Sequence, residues 1–134
     1  MQISSFLLPK EQVAYIPSTT SMFEALEILE SHFYTALPII DESGRYVGTL
    51  SEGDLLWKLK NTCNLDFEKM REIPVYDIQK HVRNESVIIT AAMEDMLTLA
   101  ADQNFVPVTD TKGIFLGIIR RKDIIEYYND NITD

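Results

Sequence analysis

Cysteine is nearly absent: Cys63 is the only one in 134 residues, which excludes an internal disulfide and a cysteine-built zinc cage. Cations are scarce as well. Twelve Lys and Arg stand against 21 Asp and Glu, a formal charge of −9, and the deficit is shared by both halves of the chain. That balance argues against a protein that coats nucleic acid or an anionic membrane, where clustered cations supply the affinity. No apolar run approaches the roughly 20 residues needed to span a bilayer. Phe6, Leu7 and Leu8 follow no basic segment, so no signal peptide is expected and the default location is the cytoplasm. The two histidines, His32 and His81, lie far apart without nearby cysteine or paired carboxylates, so no metal site is expected. Gly-x-Gly-x-x-Gly and P-loop patterns are missing, and no nucleophile–base pair or two-carboxylate spacing marks an enzyme. What is present, 46% hydrophobic and 25% charged residues, is ordinary globular composition.

An internal repeat organises that composition. Residues 35–56, moved along by 69 positions, fall on residues 104–125 without a gap. Pro38 meets Pro107, Asp41 meets Asp110, Gly44 meets Gly113, Gly48 meets Gly117 and Asp54 meets Asp123. These are residues that specify backbone shape and turns, which makes coincidence a poor explanation. The apolar positions between them correspond too, as in Leu37 with Val106 and Leu50 with Ile119.

Each copy predicts the same elements. Val13–Ile16 and Ser86–Ile89 read as short apolar strands. An amphipathic helix follows, its face formed by Met22, Ala25, Leu26, Leu29 and Phe33 in one copy and Met93, Met96, Leu97 and Ala100 in the other. Ser21 with Glu24 predicts the first helix start. Two strands joined by an Asp-x-x-Gly turn come next, then a last helix near 52–60 and 121–128. Ile3 with Phe6, and Val75 with Ile78, suggest short helical lead-ins; a turn of helix is expected near Phe67–Met70 in the linker. The fold class is therefore α/β (α+β): two β-α-β-β-α repeats, each too small to bury a core alone. The expected domains are 1–60 and 75–134, with 61–74 as the linker.

The pattern Pro38-Ile-Ile-Asp41-x-x-Gly44-x-x-x-Gly48-Thr-Leu-Ser51-x-x-Asp54, with its second copy from Pro107 to Asp123, resembles the cystathionine-β-synthase (CBS) domain. A tandem pair is called a Bateman module, and the likeness covers nearly the whole chain. The resemblance implies a pseudo-twofold pair with clefts between the domains that hold adenosine-containing ligands. Val13-Ala14-Tyr15-Ile16, Tyr34-Thr35-Ala36-Leu37-Pro38 and Gly117-Ile118-Ile119-Arg120-Arg121 look more closely like stand-alone bacterial CBS proteins that bind cyclic di-AMP.

Ser51 and Asp54 are the first candidates for ligand contact. Ser51 stands where a strand delivers the chain to a helix start, whose free N–H groups favour an anion. Asp54 offers two acceptor oxygens that suit a ribose diol, the role the resemblance assigns to it. The same pair is also what a plain helix N-cap looks like. In the second copy Arg120 replaces the serine, while Asp123 keeps the acid and with Arg120 and Arg121 is a candidate for ligand contact. Arg120, Arg121 and Lys122 precede Asp123 at a helix start, where cations oppose the macrodipole at a cost on the order of 0.3–1 kcal/mol each. They mark either a site for ligand phosphate or a solvated charged turn. Thr35 and Ala36, ahead of Pro38, would let an adenine ring approach the backbone; Ala14 and Tyr15 could complete an apolar slot with Tyr34 at its mouth.

The expected function is a non-enzymatic module that senses an adenine nucleotide, of AMP/ATP type or cyclic di-AMP, and signals through an unidentified effector protein. No other cofactor is expected. The alternative is a dimeric scaffold with vestigial clefts. Apolar residues around more than one face of both final helices, among them Leu55, Leu56, Trp57, Leu59, Ile124 and Ile125, predict a homodimer.

Overall fold

The computed structural model describes residues 2–81 and 84–132; Asp134, expected in a solvated acidic tail, lies outside them. In chain order the elements are β1 (Leu8–Pro9), β2 (Ile16–Pro17), α1 (Met22–His32), β3 (Ala36–Ile40), β4 (Tyr46–Ser51), α2 (Glu52–Lys60), α3 (Phe67–Met70), β5 (Val87–Ile88), α4 (Leu97–Asp102), β6 (Phe105–Thr109), β7 (Phe115–Arg120) and α5 (Arg121–Ile132). The class is mixed α/β, as the repeat predicts. Among the described residues no helix is long and apolar enough to cross a membrane.

The chain forms two compact units. The N unit comprises Ala14–Ser43 and Val47–Arg83; the C unit comprises Met1–Val13, Gly44–Tyr46 and Asn84–Asp134. The N unit holds a sheet of order β2-β3-β4, with β2 parallel to β3 and Ile16 opposite Ile39. The C unit holds the order β1-β7-β6-β5, with β5 parallel to β6 and Val87 opposite Val108. Ile39 and Val108 are repeat partners, so the register is duplicated along with the sequence.

Local chemistry explains most boundaries. Ser21 Oγ accepts the Glu24 N–H at 3.1 Å and opens α1, whose Met22, Ala25 and Leu29 are buried. Phe33 departs from the apolar face expected of it: it closes α1 in the left-handed conformation (φ 56°) and is 92% exposed. Once the chain leaves the helix at His32, residue 33 no longer follows the helical rotation that would bury it. In the second turn Asp110 Oδ1 accepts the N–H groups of Lys112 and Ile114 at 2.8 and 3.0 Å; Asp41 Oδ1 accepts the Ser43 N–H at 2.9 Å in the first. Gly44 and Gly113 share φ 87°, which explains both turn glycines. The linker is built as well: Asp66 Oδ1 caps α3, Met70 is buried, and Phe67 meets Phe23 edge-on at 5.8 Å. α5 runs four residues past its expected end at Tyr128. Within it Tyr127 Oη donates to Glu94 Oε1 at 2.6 Å, a hydrogen bond that is the main reason the Glu94 carboxyl falls to about 2.

The lead-ins do not follow the expected domains. Ile3, placed with residues 1–60, is fully buried in the C unit among Met93, Val106 and Ile119. Val75 and Ile78, placed with residues 75–134, are buried in the N unit with Met22, Leu37 and Leu55. Burial of apolar area is non-directional, so it is indifferent to which copy a short apolar turn precedes in sequence.

β1 also explains Gly117. It pairs antiparallel with β7, Leu8 opposite Ile118, so closely that a Cβ on Gly117 would lie 2.2 Å from Leu8 O. A Cβ on Gly48 would meet nothing within 4 Å, although the two glycines have nearly equal φ of 155° and 159°. Gly117→Ala should therefore cost about 1–3 kcal/mol more than Gly48→Ala, the typical penalty of overpacking, because the shared backbone contribution cancels. Denaturant unfolding of the two variants measures this difference; equal losses would show that β1 does not hold the position seen here.

Candidate functional site

β4 ends by presenting Ser51 as the N-cap of α2. Ser51 Oγ accepts the Asp54 N–H at 3.2 Å, and Asp54 Oδ2 accepts the Ser51 N–H at 2.8 Å. The reciprocal cap satisfies two of the groups that a helix start leaves open. Glu52 N–H donates to Thr35 O at 2.9 Å and ties this corner to the entry of β3.

Asp54 is more than a cap. The reading of Ser51-x-x-Asp54 as a simple helix start implies an exposed acid, whereas Asp54 is 1% exposed. Its Oδ1 accepts the backbone N–H of His81 at 2.8 Å and lies 3.0 Å from His81 Nδ1, which must donate because a carboxylate only accepts. His81 carries no local signal in sequence: 27 positions separate it from Asp54, and it sits in an irregular segment. The pair borders a cleft of about 280 Å³ whose walls include Trp57, Lys58, Asn61 and Asp77. Beside it, Lys80 Nζ donates to Val75 O, and burial pulls the Lys80 amine below its ordinary value despite the opposing charges of Asp54 and Asp77.

The other candidates in the N unit divide by exposure. Ala14 packs half-buried against the core, and Pro38 is buried within β3. Ala36 opens β3 half-buried; Tyr15 and Tyr34 are exposed. The Tyr34 ring stacks on His32 with centroids 5.1 Å apart, and its N–H donates to Leu29 O at 3.0 Å. Tyr34 and Thr35 line a groove of about 380 Å³ with Leu26, Leu29 and Phe33.

In the C unit the cation cluster has internal partners. Arg120 Nε and Nη2 grip Asp123 Oδ2 and Oδ1 at 2.9 and 3.1 Å, a bidentate pair one turn apart. Arg121 Nε donates to Ala100 O and Gln103 O at 2.9 and 3.1 Å. It therefore sits at the start of α5 yet serves the carbonyl end of α4, where a cation is favourable. The apparent conflict with the macrodipole disappears for Arg121 and is offset by Asp123 for Arg120. Gln103, a buried residue without a sequence signal, accepts the Glu85 N–H and donates to Glu85 O and Phe105 O. Among the described residues no group of three or more His, Cys, Asp or Glu could hold a metal ion.

Comparison with known proteins places this geometry. The CBS domain model matches residues 3–61 and again 67–130. Cyclic di-AMP receptor B of Bacillus subtilis (strain 168) is 23% identical over 130 residues, 97% of this chain and 88% of the receptor. A crystal structure of CbpB in complex with c-di-AMP superposes with a TM-score of 0.85 at 24% identity, covering 100% of this chain and 88% of that one. A crystal structure of CBSX2 in complex with AMP gives 0.74 at 26% identity, with 96% of each chain covered. The likeness to CbpB shows the fold: that of a paired CBS module.

The partners of the two acids set their energetic weight. Asp54→Ala would remove the acceptor of the part-buried Ser51 and His81 N–H groups, hydrogen bonds to a charged group worth about 1.5–3 kcal/mol each, while the Ser51 Oγ cap stays in place. Asp123→Ala breaks an ion pair with a partly exposed arginine, worth about 0–1 kcal/mol. Urea titrations should show the larger loss by far at Asp54; comparable losses would mean that the His81 contact contributes nothing.

Proposed function

The chain belongs to the CBS domain family, and on that premise we propose that it is a non-enzymatic regulatory module that senses an adenine nucleotide, of AMP/ATP type or cyclic di-AMP. The observation that carries this reading is the Ser51–Asp54 corner. One copy of the repeat keeps a hydroxyl at the start of α2 and an acid one turn in, the two groups that a phosphate and a ribose diol require. The ligands in the solved relatives, c-di-AMP and AMP, both contain adenosine phosphate. In this reading Ser51 and the α2 N-terminus face phosphate and Asp54 takes the ribose. Ala14, Tyr15, Tyr34, Thr35, Ala36 and Pro38 surround the base. Arg120 and Arg121 serve phosphate in the C unit, Arg120 by leaving Asp123. The bidentate pair keeps a guanidinium in a geometry that a phosphate can also accept. The response passes to an effector protein.

A second feature bears on assembly. Leu56, Trp57 and Leu59 of α2 are exposed, and so is Ile125 of α5. Apolar residues of this size left on helices support a homodimer as the working form. They also support the alternative reading of the chain as a dimeric scaffold whose ligand sites are vestigial.

A thermal-shift panel of AMP, ADP, ATP, S-adenosylmethionine, NAD and cyclic di-AMP separates the readings. A ligand at a hundred times its Kd stabilises the native state by about 2.7 kcal/mol, so at least one adenine nucleotide should raise the Tm by several degrees. No shift at millimolar concentration with any of them would leave the scaffold reading. Sedimentation equilibrium tests assembly: a species of 15.4 kDa at tens of micromolar would overturn the dimer.

A further inference from the structure

The candidate ribose acceptor is already occupied. The Asp54 side chain has 0% of its surface exposed, and both of its oxygens are engaged from within the N unit. A ribose diol needs direct hydrogen bonds, with oxygens within about 3 Å, and no ligand atom reaches a carboxylate that has no accessible surface. For Asp54 to bind a diol, one of its present partners must leave. Ser51 cannot leave cheaply, because it closes β4 and caps α2 in the same residue. His81 can. It lies in irregular backbone, its side chain is 43% exposed, and its freed N–H and imidazole can hydrogen-bond to water.

Resting on the reading of Asp54 as the ribose acceptor, we infer that His81 is an internal competitor of the nucleotide: it holds Asp54 closed in the free protein and is displaced when the ligand engages. The competition is local and has a built-in reporter, since Trp57, the only tryptophan, lines the same cleft as His81 and Asp54. Ligand affinity is then set by the difference between two sets of donors to one carboxylate. Displacement of His81 also links nucleotide binding to the freedom of the segment that follows the Val75–Asp77 turn.

The test uses the full chain with AMP and cyclic di-AMP as probes. In hydrogen exchange, the His81 amide should be protected in the free protein and exchange faster when a nucleotide is saturating, while the Ser51 amide stays protected. His81→Ala removes one donor and should tighten nucleotide binding several-fold. His81→Pro removes the backbone donor as well and should tighten it by about tenfold or more, the scale of a hydrogen bond to a charged group. Trp57 fluorescence should change on binding in the wild type and change less in His81→Pro, whose latch is already open. If His81→Pro does not fold, His81→Ala and the exchange data decide. Wild-type affinity in the variants, or an unchanged His81 amide on binding, overturns the latch while leaving the sensor reading intact. Wild type that binds neither probe, or binding that survives Asp54→Asn undiminished, removes the ribose reading and the latch with it.

Discussion

A carboxylate withdrawn from water is costly unless donors replace the solvent, and the N unit is organised around one such group. Asp54 draws in the end of β4 through the Ser51 N–H, the first turn of α2 through its own place in the cap, and the segment after the Val75–Asp77 turn through His81. Two stretches distant in sequence, the β4–α2 corner and the segment at His81, converge because each supplies a donor to the same carboxylate. The apolar residues that accompany them, Leu55 from α2 with Val75 and Ile78 from the turn, close over the core at the same place. Polar satisfaction and hydrophobic burial thus favour one arrangement, which is how a unit with so small a core reaches a single structure.

The second copy shows what one substitution does to that device. Asp123 occupies the position of Asp54, but with Arg120 in place of serine the acid turns to a guanidinium instead of a backbone N–H. A buried reciprocal cap becomes a partly exposed ion pair. The neighbouring Arg121 is drawn away to the carbonyl end of α4, where it completes a helix that has no glycine to end it. Two copies of one motif therefore offer different chemistry: acceptors already supplied with N–H donors in one, cations held by an acid and by carbonyls in the other.

Much of this was legible in advance, and the legible part has a common character. The strand–turn–strand units follow from Asp41, Gly44, Asp110 and Gly113, and the structure shows the Asx hydrogen bonds and the φ of 87° that these residues allow. The helix starts at Ser21 and Ser51 follow from side chains that accept N–H groups within three residues. Phe33 reads wrongly for a physical reason: the apolar period continues one residue beyond the point where the backbone turns left-handed, and periodicity carries no information about where a helix stops. Arg121 reads as a conflict at its helix start because the carbonyls of α4 and Gln103 that resolve it lie some 20 positions upstream.

By itself, then, the amino-acid sequence determined the repeat, the order of elements, the turn geometry and the family pattern at Ser51 and Asp54, because each of these depends on side chains acting on backbone within a few residues. Only the tertiary structure decided that Asp54 is buried against His81, that Ile3 belongs with Met93 and Val75 with Met22, and that Arg121 serves α4. Those outcomes depend on which groups from distant parts of the chain arrive to exclude water, and hydrophobic burial and polar pairing act on whatever is near in space, whatever its position in the sequence.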